Sequence, residues 1–383
     1  MNDTYYQLVI IDSVSGERAA TIPINNIKHL RYTRVINGIG KIAVTFPITT
    51  KYTRTFYLDN FMEVYRTHPV SGVFEREETY FIRVLQRFVE DDQEWVVVGG
   101  VSLNHLLTRR VVDPEDDPLK AGGYSTKAGA ADNVIAGYVY DQMGAGASAE
   151  RRIPNFTIKP TLGVGRPLGA RLQHEKLYNE VRRMAMQGGV DFYISRLDGN
   201  KLQFAVEPIG RDFTYTTNYP GRAWVGFSLS RGNIEQAEYV LDRAEELNYC
   251  YALGPGNVGD RIILKVAGSG VNESPYNRIE FIHDARNVEK TDALALLSEA
   301  QGALVSKRYE ESYTFTPVLG RPGSTYNKDW MLGDKVSFIQ GVTDQGLVEV
   351  VDLRIMEVEI DLDSGFETIK AKADSTWQEA ENF

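Results

Sequence analysis

Three short strand patterns recur in the same order near the two ends of this chain, and such a recurrence constrains the fold more than any single motif does. The segment "NIKHLRY" (26–32) matches "NIEQAEY" (233–239), with Asn26-Ile27 on Asn233-Ile234 and Tyr32 on Tyr239. Leu58, Asn60, Met62 and Val64 of "YLDNFMEVY" fall on Leu332, Asp334, Val336 and Phe338 of "DWMLGDKVSF". "IRVLQ" (82–86) falls on "LRIME" (353–357), and each leads through an acidic turn into a closing strand. One such match is what any two alternating strands provide. Three in order, with shared turn positions, predict a duplicated β-barrel whose second copy carries an insertion. Gly333-Asp334 is then a hairpin corner and not a reaction centre.

The rest of the pattern fits a mostly β chain with α+β insertions. "YQLVIID" and "RAATIPI" flank a Ser15-Gly16 turn, "IKHLRYTRV" and "KIAVTF" flank Asn37-Gly38, and "FMEVYRT", "TYFIRVLQRFVE" and "EWVVVGG" follow. Residues 1–107 are therefore expected to form a first antiparallel barrel. "VVDPEDDPLKAGGYSTKAGA" has no periodicity and reads as an exposed loop or linker. Beyond it, Asp132 is placed to cap a helix bearing Val134, Ile135, Tyr138, Val139 and Met143. Leu177, Tyr178, Val181 and Met184 mark a second helix that ends at Gly188-Gly189. A hairpin through Asp198-Gly199 completes an α+β domain over 108–212. The second barrel takes 213–254 and 309–376, and 255–308 is the insertion. The insertion's helix, from Asp292 to Lys307, is marked by Leu294, Leu297, Leu304 and Arg308, with Gly302 as its one weak position; its apolar stripe is expected to cover its own barrel.

A formal net charge of -10 and a pI near 5.2 leave no overall basic field to hold phosphates, which disfavours tight nucleic-acid binding. The N-terminus lacks a basic leader region, and no run approaches the length of a spanning helix, so a cytoplasmically made, soluble chain without a membrane anchor is expected.

Chemistry-bearing motifs are weak. His29, His68, His105, His174 and His283 never fall at metal-ligand spacing, and the single Cys250 sits mid-strand with no partner. "GPGNVG" (254–259) satisfies GxGxxG, but a strand follows where a dinucleotide fold needs a helix, so it reads as a hairpin loop. The acidic run Asp113, Glu115, Asp116 and Asp117 could hold Ca2+ or supply a carboxylate pair, yet it lacks the ordered spacing of a calcium loop and reads as solvated, each charge contributing little to folding. No catalytic, cofactor-binding or metal residue is nominated, no cofactor is expected, and the chain is not expected to be an enzyme.

Taken together, "ADNVIAGYVYDQMG", "LQHEKLYNEVRRMAMQGGVDFYISRLDGNKLQF", "SLSRGNIEQAEYVLDRAEELNYCYALG", "RIEFIHDARNVEKTDALALLSEAQGALVSK" and "DWMLGDKVSF" resemble the tail hub proteins of bacteriophages. The resemblance covers nearly the whole chain and implies two related tail-tube-type barrels, an α+β domain between them and a helix-bearing insertion in the second. It implies a structural virion protein in the tail, baseplate or tail tip, assembled in the bacterial cytoplasm. Such a protein is a homotrimer adapting the sixfold tube to a threefold tip and forming a channel for DNA ejection. The partners implied are the tail-tube or distal tail ring, tip or fibre proteins, the tape-measure protein, and DNA only in transit. Some hubs continue into a lysozyme, a peptidase or a receptor-binding extension; this sequence stops at Phe383 after the last expected strand, which puts such activities on another chain. Two other readings stay open: a tail-associated cell-wall hydrolase using acidic residues, and a tail module binding host-surface polysaccharide through some of its 21 Tyr.

Overall fold

The computed structural model describes residues 5–48, 51–120, 122–257, 259–286, 288–342, 348–363 and 365–375. Seven strands open the chain: β1 (Tyr6–Ile11), β2 (Arg18–Pro23), β3 (His29–Val35), β4 (Lys41–Pro47), β5 (Phe61–Thr67), β6 (Phe74–Glu90) and β7 (Gln93–Ser102). A mixed segment follows, with β8 (Ser125–Ala130), α1 (Ala131–Met143), β9 (Phe156–Ile158), β10 (Pro167–Leu172), α2 (Leu177–Gly188), β11 (Val190–Arg196) and β12 (Leu202–Pro208). The remainder holds α3 (Tyr215–Asn218), β13 (Gly226–Phe227), β14 (Ile234–Asp242), β15 (Tyr249–Leu253), β16 (Ile263–Ala267), β17 (Glu280–Asp284), α4 (Ala293–Ser306), β18 (Glu310–Pro317), β19 (Lys335–Val342), β20 (Val348–Asp363) and β21 (Phe366–Asp374).

Thirteen strands make one sheet, ordered β14-β18-β21-β20-β3-β4-β7-β6-β5-β1-β2, with β19 branching from β20 and carrying β13. All its pairs are antiparallel except β13 with β19. Among the described residues the path runs from β14 to β2 without closing. Side chains from both ends of the path, from Leu8 and Tyr32 to Phe315 and Ile360, share one apolar core.

Within this sheet two sets of five strands repeat each other's register. Tyr32 faces Ile42, Ile42 faces Gly100 and Gly100 faces Ile82. In the other set Tyr239 faces Tyr313, Tyr313 faces Ala373 and Ala373 faces Ile355. A bulge follows in each, the ladder skipping from Ile82 to Val84 and from Ile355 to Glu357. The corners ahead of β5 and β19 also agree. Asp59 and Gly333 donate their N–H groups to the carbonyls of Ile82 and Ile355, which donate back to the carbonyls of Asn60 and Asp334, all at 2.9 Å. Tyr32 thus holds the strand position of Tyr239, and Asn60 that of Asp334, as the sequence match sets them. The third match needs correction: Ile82 corresponds to Ile355 and not to Leu353. A slip of two residues leaves an alternating pattern unchanged, so side-chain parity could not reveal it.

Four further expectations change. Asp132 is not the cap of α1, since Ala130 holds that position; the buried Asp132 carboxylate lies in the first turn and accepts the N–H groups of Leu162 and Gly163 at 2.8 Å. The 111–130 segment is not a free loop, because Ser125 and Asp117 are buried and β8 pairs with β10. β15, counted with the second barrel, instead pairs with β16 and β17 in a separate three-stranded sheet. The apolar side of α4 lies on that small sheet and reaches β10 and α2, not the large sheet. Asp292 caps α4 as its position suggests, accepting the Ala295 N–H at 2.9 Å. Gly302 is a close-approach position: a Cβ there would overlap the side-chain amide of Gln187 on α2.

The mixed segment packs on the large sheet through β1. Leu8 and Ile10 point into the shared core, whereas Val9 and Ile11 join the core built by α1, α2, β11 and β12. Burial on both faces explains why "LVII" is unbroken by polar residues.

Candidate functional site: the joint between the two halves

The two five-strand sets meet where β20 pairs with β3. Seven residue pairs run from Glu357 opposite Val35 to Asp363 opposite His29. On one face Val358, Ile360 and Leu362 pack with Leu30 and Tyr32 in the core. On the other, His29 Nε2 lies 2.7 Å from an Asp361 carboxylate oxygen, and Arg31 donates to Glu359 at 2.7 Å, which helps hold its guanidinium above the ordinary arginine value.

An ionic cluster lies inside this joint. Arg66 on β5 donates through Nε to the Glu367 carboxylate on β21 and to Tyr6 Oη, both at 2.9 Å, and Tyr6 in turn donates to Glu367. Arg34 on β3 donates to Tyr326 Oη at 2.7 Å and lies 3.4 Å from Glu77 on β6, which also accepts from Asn327. Burial pushes the Tyr6, Tyr32 and Tyr80 phenols far above their ordinary values, so they stay protonated. Burial also raises the Glu78 carboxyl, against the pull of Arg34. Every one of these contacts between Tyr6, Arg34, Arg66 or Glu77 and residues 326–367 crosses from one half to the other.

The corner at Gly333-Asp334 is a buried clamp. Asp334 is almost fully buried and receives both guanidinium donors of Arg211, at 3.0 and 2.6 Å, together with the Met331 N–H at 2.8 Å. Arg354 donates to the Gly333 carbonyl at 2.9 Å and pairs with Asp191 on β11. Burial raises the Asp191 carboxyl even beside Arg354. The outer edge of β11, which has no strand partner among the described residues, is satisfied by two asparagines: the Phe192 N–H donates to Asn37 at 2.7 Å and the Ile194 N–H to Asn104 at 2.9 Å. A cleft of about 410 Å3 opens at this three-way meeting, lined in part by Arg34, Glu78, Asp191 and Gly333. Nearby, the fully buried Glu63 on β5 accepts from Arg196 at 2.7 Å and Arg76 at 2.8 Å. Burial alone would raise its carboxyl, but these two guanidinium groups outweigh it and hold it below the ordinary glutamate range.

The chemistry weighed on sequence is dispersed. The five histidines sit apart: His29 on Asp361, His283 3.2 Å from Glu299, His105 beside Thr108, and His68 and His174 in turns. Among the described residues no three His, Cys, Asp or Glu side chains converge on a metal-sized site. Cys250 is buried in β15, where burial pushes its thiol up to about 11. "GPGNVG" joins β15 to β16 as a hairpin loop, with Val258 outside the described residues. The acidic run is built in rather than solvated. Asp117 is buried against Ser125 and Lys127, Asp116 pairs with Arg151 and accepts the Ser148 N–H, Asp113 caps the short turn that follows, and only Glu115 is exposed. Among the described residues no helix is long and apolar enough to cross a membrane.

The ionic joint was missed on sequence, although one signal existed. Arg66 shares the inward parity of Met62 and Val64, and a charge on an apolar face has to find a buried partner.

Solved prophage tail proteins share this architecture. The chain aligns over 98% of its length, and 99% of the other, with the 43 kDa tail protein of prophage MuSo2 from Shewanella oneidensis (TM-score 0.58, 13% identity). It aligns over 98% of both chains with the tail protein from Neisseria meningitidis MC58 (TM-score 0.55, 12% identity). With prophage tail protein gp18 from Listeria monocytogenes EGD-e it shares 96% and 94% coverage (TM-score 0.54, 10% identity). No curated protein matches the sequence significantly. The fold is therefore that of a phage tail protein. The chain belongs to the Siphovirus ReqiPepy6 Gp37-like protein family, which matches residues 15–372.

Proposed function

We propose that this chain is the hub at the distal end of a phage tail, a structural and non-enzymatic part that joins a sixfold tube to a threefold tip. The observation that carries this reading is the repeated five-strand register within one sheet. Each chain offers two equivalent units, so three chains supply six positions around an axis. In this reading residues 1–107 and the strands of 213–242 and 309–376 are the two tube-type units, each closing with its neighbours into a barrel wall. Residues 108–212 form the α+β unit between them, and the β15–α4 segment is the insertion. The ionic joint holds the two units of a chain at a fixed angle. With a net charge of -10, a central channel would pass DNA and the tape-measure protein without adhesion. Neighbouring tail and tip proteins are the partners on the two faces of the ring.

Electron microscopy of the purified protein, alone or with its neighbouring tail ring, tests this. Threefold particles with a central opening and two units per chain in the ring are expected. A twofold dimer, one unit per chain in the ring, or a closed centre in the assembled tail would overturn the reading.

A further inference from the structure

Among the described residues, the joint inside the chain has two open counterparts in the sheet, one on β6 and one on the terminal strand β14. β20 uses one edge twice: its first half pairs with β19 and its second half, 357–363, with β3. β6 corresponds to β20 strand for strand. The first half of that same edge pairs with β5 through Phe81, while among the described residues 84–90 pairs only with β7 on the opposite edge. β14 corresponds to β3, yet among the described residues it pairs with β18 alone and ends the sheet. We infer that residues 84–90 of one copy pair antiparallel with residues 236–242 of a second copy, in the register of the internal β20–β3 joint.

The register follows from the two matched sets. Glu357 opposite Val35 becomes Val84 opposite Asp242, and Val358 opposite Arg34 becomes Leu85 opposite Leu241. Ile360 opposite Tyr32 becomes Arg87 opposite Tyr239, and Leu362 opposite Leu30 becomes Val89 opposite Ala237. Exposure supports the match. Val358, Ile360, Leu30 and Tyr32 are wholly buried, whereas Leu85 and Val89 are 43% and 69% exposed and Tyr239 and Leu241 38% and 54%. Exposed apolar residues at matching positions on two unpaired edges form the kind of surface that pairs with another chain. Because the two edges differ, the contact is head to tail and closes into a ring only if the rotation does. This inference rests on the ring reading above and names the surface through which the ring would close.

Disulfide trapping tests it. In a Cys250→Ala background, Leu85→Cys with Leu241→Cys should cross-link under mild oxidation, since directly opposed Cα atoms lie about 4.5–5.5 Å apart. A control with Leu85→Cys and Tyr239→Cys, two residues out of register, should link at least about tenfold less, because diagonal neighbours are about 7–8 Å apart. The expected product is a ladder ending at three copies. Separately, Leu85→Lys with Leu241→Lys should abolish association while leaving the melting of the single chain unchanged, because both sites are exposed within it. Trimers that form without this disulfide would overturn the pairing and leave the hub reading standing. Linkage running past three copies, or stopping at two, would keep the pairing and defeat the threefold reading. A chain that stays single and unlinked at every concentration it tolerates, with and without its tail partners, would overturn both.

Discussion

Replacing Glu367 with Gln is the most direct test of the ionic joint. The change keeps the shape of the side chain but removes the only carboxylate within 3.3 Å of Arg66 that is described, leaving a guanidinium 5% exposed beside two phenols. Removing one partner of a buried pair costs roughly 3–5 kcal/mol, since the remaining charge has lost its compensation. Unfolding entropy of about 2.1 cal/mol/K per residue over 383 residues amounts to roughly 0.8 kcal/mol/K, so the melting temperature should fall by about 4–6 °C. Arg66→Met combined with Glu367→Gln should recover much of that loss, because the desolvation of both charges disappears together. Scanning calorimetry on the wild type, both single variants and the double variant completes the cycle. A loss below about 1 kcal/mol for Glu367→Gln, or a double variant as unstable as the sum of the singles, would refute the view that this pair fastens β21 to β1 and β5.

Gly302→Ala should destabilise the chain by about 1–2 kcal/mol although it favours the helix, because the new methyl group pushes the buried Gln187 amide off the Ser298 carbonyl and Arg183; an unchanged urea midpoint would show that Gln187 swings aside with those bonds intact. Asp117→Asn should cost about 1–3 kcal/mol by weakening the contacts to Ser125, Lys127 and the Leu119 N–H, whereas Glu115→Gln should stay within about 0.5 kcal/mol; equal effects would show that the run is solvated after all. Burial opposes ionisation at Glu63, Asp117 and Glu299, but Arg196 and Arg76, Ser125 and Lys127, and Arg183 and His283 respectively outweigh it and hold the carboxyls below their ordinary values. Their ionised forms therefore stabilise the fold above the ordinary carboxylate range of about 3.9–4.3, and that stability is lost as pH falls through the depressed values; urea midpoints at pH 7 and pH 3 should differ by less in Glu63→Gln than in the wild type.

Strands, turns and helices were legible wherever a local rule decides them. Gly16, Asn37 and Gly199 take positive φ at the turns their flanking alternation marks, and Gly189 ends α2 in the left-handed region. What local rules cannot encode was missed. β15 alternates like any strand of the large sheet, and only its partners, far along the chain, place it in the small one. The α4 helix was legible but its buried side was not: Leu294 is 53% exposed, and Ala295, Leu296, Ala300, Ala303 and Leu304 make the side that packs on the small sheet. The acidic run looked solvated because its cations, Lys127 and Arg151, lie well beyond the run itself, Asp113 to Asp117. Asn37 illustrates the same limit: its turn conformation was legible, while its second task of satisfying the edge of β11 depends on a strand more than a hundred residues away.

The likeness of the halves stops at definite places, and these bear on how one sheet could serve two symmetries. The five matched strands keep the same order, bulge and corner bonds. Outside them, β5 continues into the antiparallel hairpin β1–β2, while β19 continues into the short parallel β13. Between the first two matched strands lies a tight turn at Asn37 in one half, and in the other the whole β15–α4 insertion. Differences confined to turns and outer strands leave the ladder register intact, because register depends on hydrogen-bonded pairs and side-chain parity within the strands. A wall made of the matched strands would repeat with every half, whereas whatever docks on the hairpin, the mixed segment or the insertion would meet it once per chain. Alternation of like walls and unlike attachments is the geometry that a sixfold-to-threefold adaptor requires.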